Sequence, residues 1–167
     1  MNQNQNQSRA IIVPASAGSG KTFRIAQEYI YDVLRNRYTE EGKPYFDSSF
    51  YKRILAVTFT NKATEEMKSR ILKEIHLLAS WQDSDHLSDL KRKTSLTEKE
   101  LRDRAKIVRS LILHDYSHFT VLTNDTFFQR ILRAFVRELG VDMNFSTELD
   151  TAPVLAKSVD ALIEDIV

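Results

Sequence analysis

The chain has 167 residues, contains no cysteine and carries a formal net charge of +1 at pH 7. A chain of this length buries roughly two thirds of its unfolded surface in a single domain, and so small a net charge excludes long-range attraction to nucleic acid or to an acidic membrane. The lack of cysteine excludes disulfides, thiolate metal sites and cysteine nucleophiles, and it suits a reducing compartment.

The N-terminus is a polar stretch. Residues 1–10 begin Met-Asn-Gln-Asn-Gln-Asn-Gln and lack the apolar segment of a signal peptide. The apolar runs in the rest of the sequence are far shorter than the roughly 18 residues that cross a bilayer. We therefore expect a disordered start at residues 1–10, a cytoplasmic location and no membrane partner.

The next segment predicts a strand, a glycine-containing loop and a helix. Residues 11–13 are β-branched, which is typical of a buried strand that ends where a loop begins. The helix should begin near Lys21 and expose Arg24, Gln27 and Asp32. The apolar positions that recur at helical spacing are Ile25, Tyr29, Ile30, Val33 and Leu34.

Two further strand–helix pairs follow. Residues 54–59 form a nearly continuous apolar run, which predicts a parallel strand buried on both faces. The apolar stripe of the next helix consists of Ala63, Met67, Ile71, Ile75 and Leu78. Ser95 and Glu98 resemble a capping box, and residues 120–123 predict a third strand before a helix that ends at Gly140. Strands that alternate with helices indicate an α/β domain with a parallel sheet flanked by helices.

Residues 15–22 form a glycine-rich loop with the sequence Ala-Ser-Ala-Gly-Ser-Gly-Lys-Thr. The loop fits the Walker A pattern at its last three positions, whereas Ala15 stands where that pattern has its first glycine. The glycines let backbone N–H groups converge on phosphate oxygens, the lysine brings a charge to the β and γ phosphates, and the threonine can ligate Mg²⁺. We therefore predict ATP and Mg²⁺ as cofactors, with Lys21 and Thr22 as catalytic residues. The predicted nucleotide-binding residues are Ala17, Gly18, Ser19, Gly20, Lys21 and Thr22.

The loop by itself leaves the class of protein open. A kinase, a GTPase, a transporter ATPase and a motor all need the same phosphate cradle. A strand-to-helix turn that binds nothing is the non-functional alternative. A small-molecule kinase and a non-catalytic ATP-binding regulatory module are the other functions that we consider.

Residues 58–63, Thr-Phe-Thr-Asn-Lys-Ala, lie where the second predicted strand ends and a helix starts. Parallel α/β sheets collect ligands at that edge. Hydroxyl, amide and helix N-terminal N–H groups suit contacts to the phosphates of a nucleic-acid strand, and Phe59 offers a surface on which a base can stack. By chemistry alone, we favour the alternative in which Phe59 lies in the core and Thr60 caps the helix.

Three segments together resemble a known family. In order and approximate spacing, residues 15–22, 54–63 and 123–135 resemble the first three motifs of UvrD/RecB-type superfamily 1 DNA helicases, and among these the RecB-like helicase-nucleases most. The resemblance implies a P-loop, RecA-like fold, with a partial domain at residues 11–140 and the start of a helical insertion at residues 141–167. It also implies that ATP drives two RecA-like domains together and apart, so that single-stranded DNA is moved 3′ to 5′ in DNA repair or recombination.

The resemblance also implies roles for particular residues. Lys21 and Thr22 would hold the triphosphate and Mg²⁺. The residues implied along the path of single-stranded DNA are Thr58, Phe59, Thr60, Asn61, Asp125, Thr126 and Phe127. Asp125 departs from the family, which usually has histidine there, and a carboxylate repels phosphate. Gln5 and Gln7 are candidates for the glutamine that reads adenine.

Hydrolysis in this fold needs an acidic pair at the end of a buried strand, where one carboxylate organises Mg²⁺ and the other orients the attacking water. Glu164 and Asp165 are the nearest candidates, but apolar residues recur at helical spacing through residues 154–167, so we expect the two acids on a helix. The chain also lacks a second RecA-like domain and a nuclease domain. We therefore expect an N-terminal fragment that binds nucleotide but neither hydrolyses it efficiently nor unwinds DNA. Its expected partners are single-stranded DNA, the remainder of its own helicase chain and, through an unpaired sheet edge, a second copy.

Histidines, aromatics and arginines elsewhere carry weaker signals. His114 and His118 have a spacing that can hold zinc, but a third ligand is not evident, and we favour ordinary surface histidines. We expect three aromatic side chains to pack, namely Trp81, Tyr116 and Phe119. A basic stripe, which either touches DNA phosphates or is solvated, consists of Arg130, Arg133 and Arg137.

Overall fold

The computed structural model describes residues 20–139 and 151–164. The predicted strand at residues 11–13 and most of the glycine-rich loop lie outside these residues, as does Gly140. The chain divides into two compact units, Met1–Asn124 and Asp125–Val167.

The first unit is an α/β arrangement in which helices predominate. Its helices are α1 (Lys21–Leu34), α2 (Asn61–Ala79), α3 (Leu87–Thr94) and α4 (Glu98–His114), and 3₁₀ helices span Phe50–Arg53 and Tyr116–His118. Its strands are β1 (Arg37–Tyr38), β2 (Pro44–Tyr45), β3 (Leu55–Thr58) and β4 (Thr120–Thr123). In the described part of the chain, β1 and β2 pair antiparallel and β3 and β4 pair parallel, so the parallel sheet there is small and incomplete.

The bounds of the two parallel strands agree closely with those predicted from the sequence. The third strand spans Thr120–Thr123 as predicted, and β3 is one residue shorter at each end than the predicted 54–59. In register, Leu55 lies opposite Thr120 and Thr58 lies opposite Thr123. The carboxyl ends of β3 and β4 therefore meet at one edge of the sheet.

The core lies between α1, α2, α4 and the parallel strands. The predicted stripe of α2 is confirmed for four residues, all of them buried: Met67, Ile71, Ile75 and Leu78. On α1 the predicted stripe is confirmed for Tyr29, Ile30, Val33 and Leu34, whereas Ile25 is 44% exposed and Ala26 is buried instead. Ala26, Tyr29, Ile30 and Val33 follow the three- and four-residue spacing of one helical face, and Ile25 lies beside that face. Gln27 and Asp32 are half-buried rather than exposed.

The prediction that β3 is buried on both faces is wrong. Leu55 and Val57 are 43% and 37% exposed, while Thr58 is buried. Side chains alternate between the faces of a strand, and α2, which contacts both parallel strands, covers the face that carries Thr58 and Val121. The apolar run therefore does not have helices on both sides in the described part of the chain.

The capping box lies two residues later than predicted. Thr97 accepts a hydrogen bond from the backbone N–H of Glu100 at 3.3 Å, and Glu100 accepts one from the N–H of Thr97 at 2.8 Å. Ser95 ends α3 instead, with a left-handed φ of 59° and its N–H on the carbonyl of Lys91. Two adjacent helices each need a terminus here, and the sequence pattern alone did not separate the stop of one from the start of the next.

The second unit contains α5, which starts at the boundary and spans Asn124–Leu139, and α6, which spans Thr151–Glu164. The prediction that Glu164 lies on a helix is confirmed, whereas Asp165 lies outside the described residues. Both helices carry exposed apolar side chains, including Leu132 and Phe135 on α5 and Leu155 and Leu162 on α6. None of the helices within the described residues is long and apolar enough to cross a membrane.

Candidate functional site

The first part of the site is the start of α1. Gly20 precedes this helix in the left-handed conformation, with φ 73° and ψ 22°, and no side chain caps the helix. A Cβ added at Gly20 would meet nothing within 4 Å, so glycine is favoured there by the backbone conformation rather than by crowding. Lys21 is exposed and Thr22 is half-buried, as the first two residues of the helix. Ala17, Gly18 and Ser19 lie outside the described residues.

The start of α1 suits the binding of a nucleoside triphosphate with Mg²⁺, which the resemblance implies. A helix N-terminus presents backbone N–H groups and a positive partial charge to an anion, and a cation and a hydroxyl stand beside it at Lys21 and Thr22. Together these are the donors that a triphosphate and Mg²⁺ need.

Phe23, the residue after Thr22, packs against a histidine that was not predicted from the sequence. The ring of Phe23 lies 4.3 Å from that of His86, centroid to centroid. His86 is fully buried, and neither of its ring nitrogens has a hydrogen-bond partner among the described residues. Burial lowers the pKa of His86, against an opposing effect of Glu74. His86 lies in a charged, non-periodic stretch, so no sequence signal could have found it.

The second part of the site is the junction of β3 and α2. The side chain of Thr60 accepts a hydrogen bond from the N–H of Ala63 at 3.1 Å, so the prediction that Thr60 caps the helix is confirmed. Beneath it, the hydroxyls of Thr58 and Thr64 are 2.6 Å apart, and both side chains are buried. Asn61 is exposed at the first position of α2.

Phe59 is the residue of this junction that differs most from the expectation by chemistry alone. It is 88% exposed, so the interpretation that places it in the core is wrong. Residue 59 lies just beyond the end of β3, where the alternation of the strand no longer directs a side chain into the core. The structure thus brings Thr58, Phe59, Thr60 and Asn61 together at the carboxyl edge of the parallel pair.

The remaining residues implied along the DNA path lie in the second unit. Asp125 is exposed in the first turn of α5, where a carboxylate is favoured by the helix dipole. Thr126 is half-buried, and the ring of Phe127 lies 5.6 Å from that of Phe128. Of the basic stripe on the same helix, Arg130 and Arg133 are exposed and the side chain of Arg137 lies outside the described part.

The histidines and aromatic residues that carried weaker sequence signals lie mostly at the surface. No group of three or more potential metal ligands occurs among the described residues, and His118 pairs with Asp115 at 2.6 Å. Phe119 packs in the core as expected, and Tyr116 packs against it with ring centroids 5.7 Å apart, although it is 45% exposed. Trp81 is 60% exposed, contrary to expectation. Trp81 lies directly after the C-cap of α2 and has a left-handed backbone, with φ 58°.

Comparison with known proteins identifies relatives. The family described as UvrD/REP helicase N-terminal domain matches residues 1–167. A subunit of the ATP-dependent helicase/nuclease of Lactococcus lactis subsp. cremoris (strain SK11) is 30% identical over 135 residues, which are 81% of this chain and 9% of the relative. RecBCD enzyme subunit RecB of Mycolicibacterium smegmatis is 29% identical over 158 residues, covering 93% of this chain and 13% of the relative. ATP-dependent DNA helicase Rep of Buchnera aphidicola subsp. Schizaphis graminum is 40% identical over 85 residues, covering 47% of this chain and 11% of the relative. The chain spans about a tenth of the length of these curated relatives.

Proposed function

Because the chain belongs to the UvrD/REP helicase N-terminal domain family, we propose that it is the ATP-binding part of a DNA helicase that moves 3′ to 5′ along single-stranded DNA in repair or recombination. The remainder of the helicase chain, with a second RecA-like domain, is its proposed partner in hydrolysis. The observation that carries the proposal is the start of α1, where left-handed Gly20 leads directly into Lys21 and Thr22.

Each residue of that junction has a proposed task. MgATP, when bound, would supply the triphosphate that these residues hold. Gly20 lets the backbone turn so that N–H groups at the start of α1 would face the phosphates. Ala17, Gly18 and Ser19 are further proposed nucleotide-binding residues. Lys21 neutralises charge on the β and γ phosphates, and the Thr22 hydroxyl ligates Mg²⁺.

Nucleotide binding is tested by titrating the 167-residue chain with a fluorescent ATP analogue in the presence of Mg²⁺. Lys21→Ala should weaken binding at least about tenfold, because a charge-assisted hydrogen bond contributes about 1.5–3 kcal/mol. Lys43→Ala is the matched control, since Lys43 is 75% exposed and pairs with Glu41 on the β1–β2 hairpin. Equal affinities for the unmodified chain and Lys21→Ala would refute the phosphate-binding role.

We propose that the 167-residue chain by itself binds ATP without hydrolysing it efficiently. Within the described residues, the two parallel strands end at Thr58 and Thr123 rather than at an acidic pair, and Glu164 ends a helix. Hydrolysis needs carboxylates that organise Mg²⁺ and the attacking water. ATP turnover by the chain at many cycles per second, abolished by Lys21→Ala, would contradict this part of the proposal.

The edge that carries Thr58, Phe59, Thr60 and Asn61 is the proposed contact with single-stranded DNA. Phe59 supports it, because an aromatic ring that is 88% exposed beside a helix N-terminus offers a stacking surface next to phosphate-binding N–H groups. Asp125, Thr126 and Phe127 are further proposed contributors.

DNA binding is tested by fluorescence anisotropy with a labelled single strand, with and without nucleotide. Phe59→Ala should weaken binding at least about fivefold, because stacking of one base on an aromatic ring contributes about 1–3 kcal/mol. Tyr38→Ala, which removes another exposed ring at 65% exposure, should leave the affinity unchanged. Equal affinities for Phe59→Ala and Tyr38→Ala would contradict the assignment.

Self-association through the sheet edge is also proposed. The exposed Leu55 and Val57 on the short parallel pair support it, because unpaired strand edges and apolar strand surfaces favour pairing with a second chain. A single monomeric species in sedimentation at high protein concentration would contradict it.

A further inference from the structure

Two buried threonine hydroxyls lie directly beneath the loop that presents Phe59. Thr58 and Thr64 are 8% and 6% exposed, and their Oγ1 atoms are 2.6 Å apart. Both Oγ1 atoms also lie close to the carbonyl oxygen of Thr60, at 3.2 Å from Thr58 and 3.1 Å from Thr64. The three residues therefore form a hydrogen-bonded triangle that spans Phe59.

The number of hydroxyl hydrogens determines how this triangle is bonded. Thr58 and Thr64 have one hydroxyl hydrogen each, and the 2.6 Å contact between them requires one of the two. The other hydrogen is then donated to the Thr60 carbonyl, in either of the two possible arrangements. That carbonyl also accepts the backbone N–H of Thr64 at 3.0 Å, so it is fixed from two directions.

Threonine at position 64 is not explained by the helix itself. Position 64 lies in the first turn of α2, where alanine has a higher helix propensity than threonine. A hydroxyl that bonds the carbonyl four residues back is neutral or slightly unfavourable for a helix. The buried hydroxyl therefore has its main effect on the loop, through the contacts to Thr58 and Thr60.

We propose that Thr64 is a positioning residue, whose hydroxyl pairs with that of Thr58 to fix the Thr60 carbonyl and so hold the backbone that presents the exposed Phe59 ring for stacking on a base. The inference rests on the proposed function, since it concerns the same contact with single-stranded DNA. A loop ordered in advance loses less conformational freedom when a base binds, which raises affinity without adding a contact. The Thr60 cap on Ala63 fixes the other side of the same loop.

Thr64→Val tests the hydroxyl while keeping the shape of the side chain. In anisotropy titrations with labelled single-stranded DNA, it should weaken binding about fivefold. The Thr58 hydroxyl can still donate to the Thr60 carbonyl, but it loses its 2.6 Å contact with Thr64, so ordering of the loop becomes part of the binding step. Thr64→Ser, which keeps the hydroxyl, should stay within about twofold of the unmodified chain. Thr94→Val is the matched control, because the Thr94 hydroxyl makes the same kind of bond to the carbonyl of Leu90, in α3. It should leave binding unchanged.

A double-mutant cycle separates positioning from general stability. If Thr64 acts through the ring, Thr64→Val should have no further effect on DNA affinity in a Phe59→Ala background. Thermal unfolding of every variant measures the folded fraction, and Thr64→Ala replaces Thr64→Val if the latter does not fold. Unchanged affinity in Thr64→Val, or a loss that persists without Phe59, overturns the inference while leaving the proposed function in place. Unchanged affinity in Phe59→Ala instead overturns the proposed DNA contact itself.

Discussion

Arg102 joins α4 to the end of α2, and its removal is a sharp test of what holds the first unit together. Its guanidinium donates hydrogen bonds to the carbonyls of Leu78 at 3.3 Å and Gln82 at 3.1 Å, and to the carboxylate of Glu98 at 2.8 Å. The side chain is only 4% exposed, and the guanidinium lies 5.0 Å from the ring of Trp81.

The cost of Arg102→Met follows from these contacts. Methionine keeps an apolar stem but donates no hydrogen bond. The bond to the buried Leu78 carbonyl contributes about 1.5–3 kcal/mol, as is typical for a charged donor. The pair with half-exposed Glu98 adds up to about 1 kcal/mol. We therefore expect the free energy of unfolding to fall by about 1.5–4 kcal/mol.

Urea titrations followed by far-ultraviolet circular dichroism and by the fluorescence of Trp81, the chain's one tryptophan, measure this loss. Arg92→Met is the matched control, because Arg92 is 75% exposed and pairs with Asp89 within α3. Exposed pairs contribute little, so the control should unfold like the unmodified chain. If Arg102→Met is no less stable than Arg92→Met, Arg102 does not hold α2 and α4 together as we infer.

Two further predictions concern His86 and the boundary of α3 and α4. Burial lowers the pKa of His86 below 6.5, so the unfolded chain takes up a proton first and stability should fall as the pH drops below that value. In urea titrations below pH 6.5, His86→Leu should make the free energy of unfolding depend less on pH, and the control His114→Gln, at an exposed position, should not. If the pH dependence of the free energy of unfolding is the same in His86→Leu as in the unmodified chain, the reasoning is wrong. Thr97→Ala should cost about 1 kcal/mol by removing the cap of α4. Ser95→Gly should instead stabilise the fold by about 0.5–1 kcal/mol by relieving a left-handed serine. If both variants change the free energy of unfolding in the same direction, Thr97 is not the cap of α4 with Ser95 as the end of α3.

The features that could be predicted from the sequence are those in which one local pattern dominates. The stripe of α2 and the strand Thr120–Thr123 were predicted because each residue's spacing or β-branching matched its burial. The start of α1 at Lys21 was predicted from the glycines before it. In each case local preference and tertiary packing agree.

The features that were missed depend on neighbours that are distant in sequence. Ile25 and Val57 are apolar, but which face of a helix or strand is covered depends on where other elements pack. Phe59 is aromatic, yet its position just beyond a strand end leaves it in solvent. His86 is fully buried and packs against Phe23, which is far away in the chain. No spacing rule along the sequence contains that information.

The partner strands β3 and β4 are separated in the chain by α2, α3 and α4, and this order has a kinetic consequence. Parallel pairing requires closure of the whole intervening segment, so it is intrinsically slower than the formation of the helices themselves. We therefore expect the edge that carries Phe59 to be completed only after those helices have packed against one another. We expect substitutions at buried positions of α3 or α4 to slow the formation of that edge, or to reduce the fraction of chains that form it, without contacting it. Loss of DNA binding in such variants would then report the folded fraction of the protein.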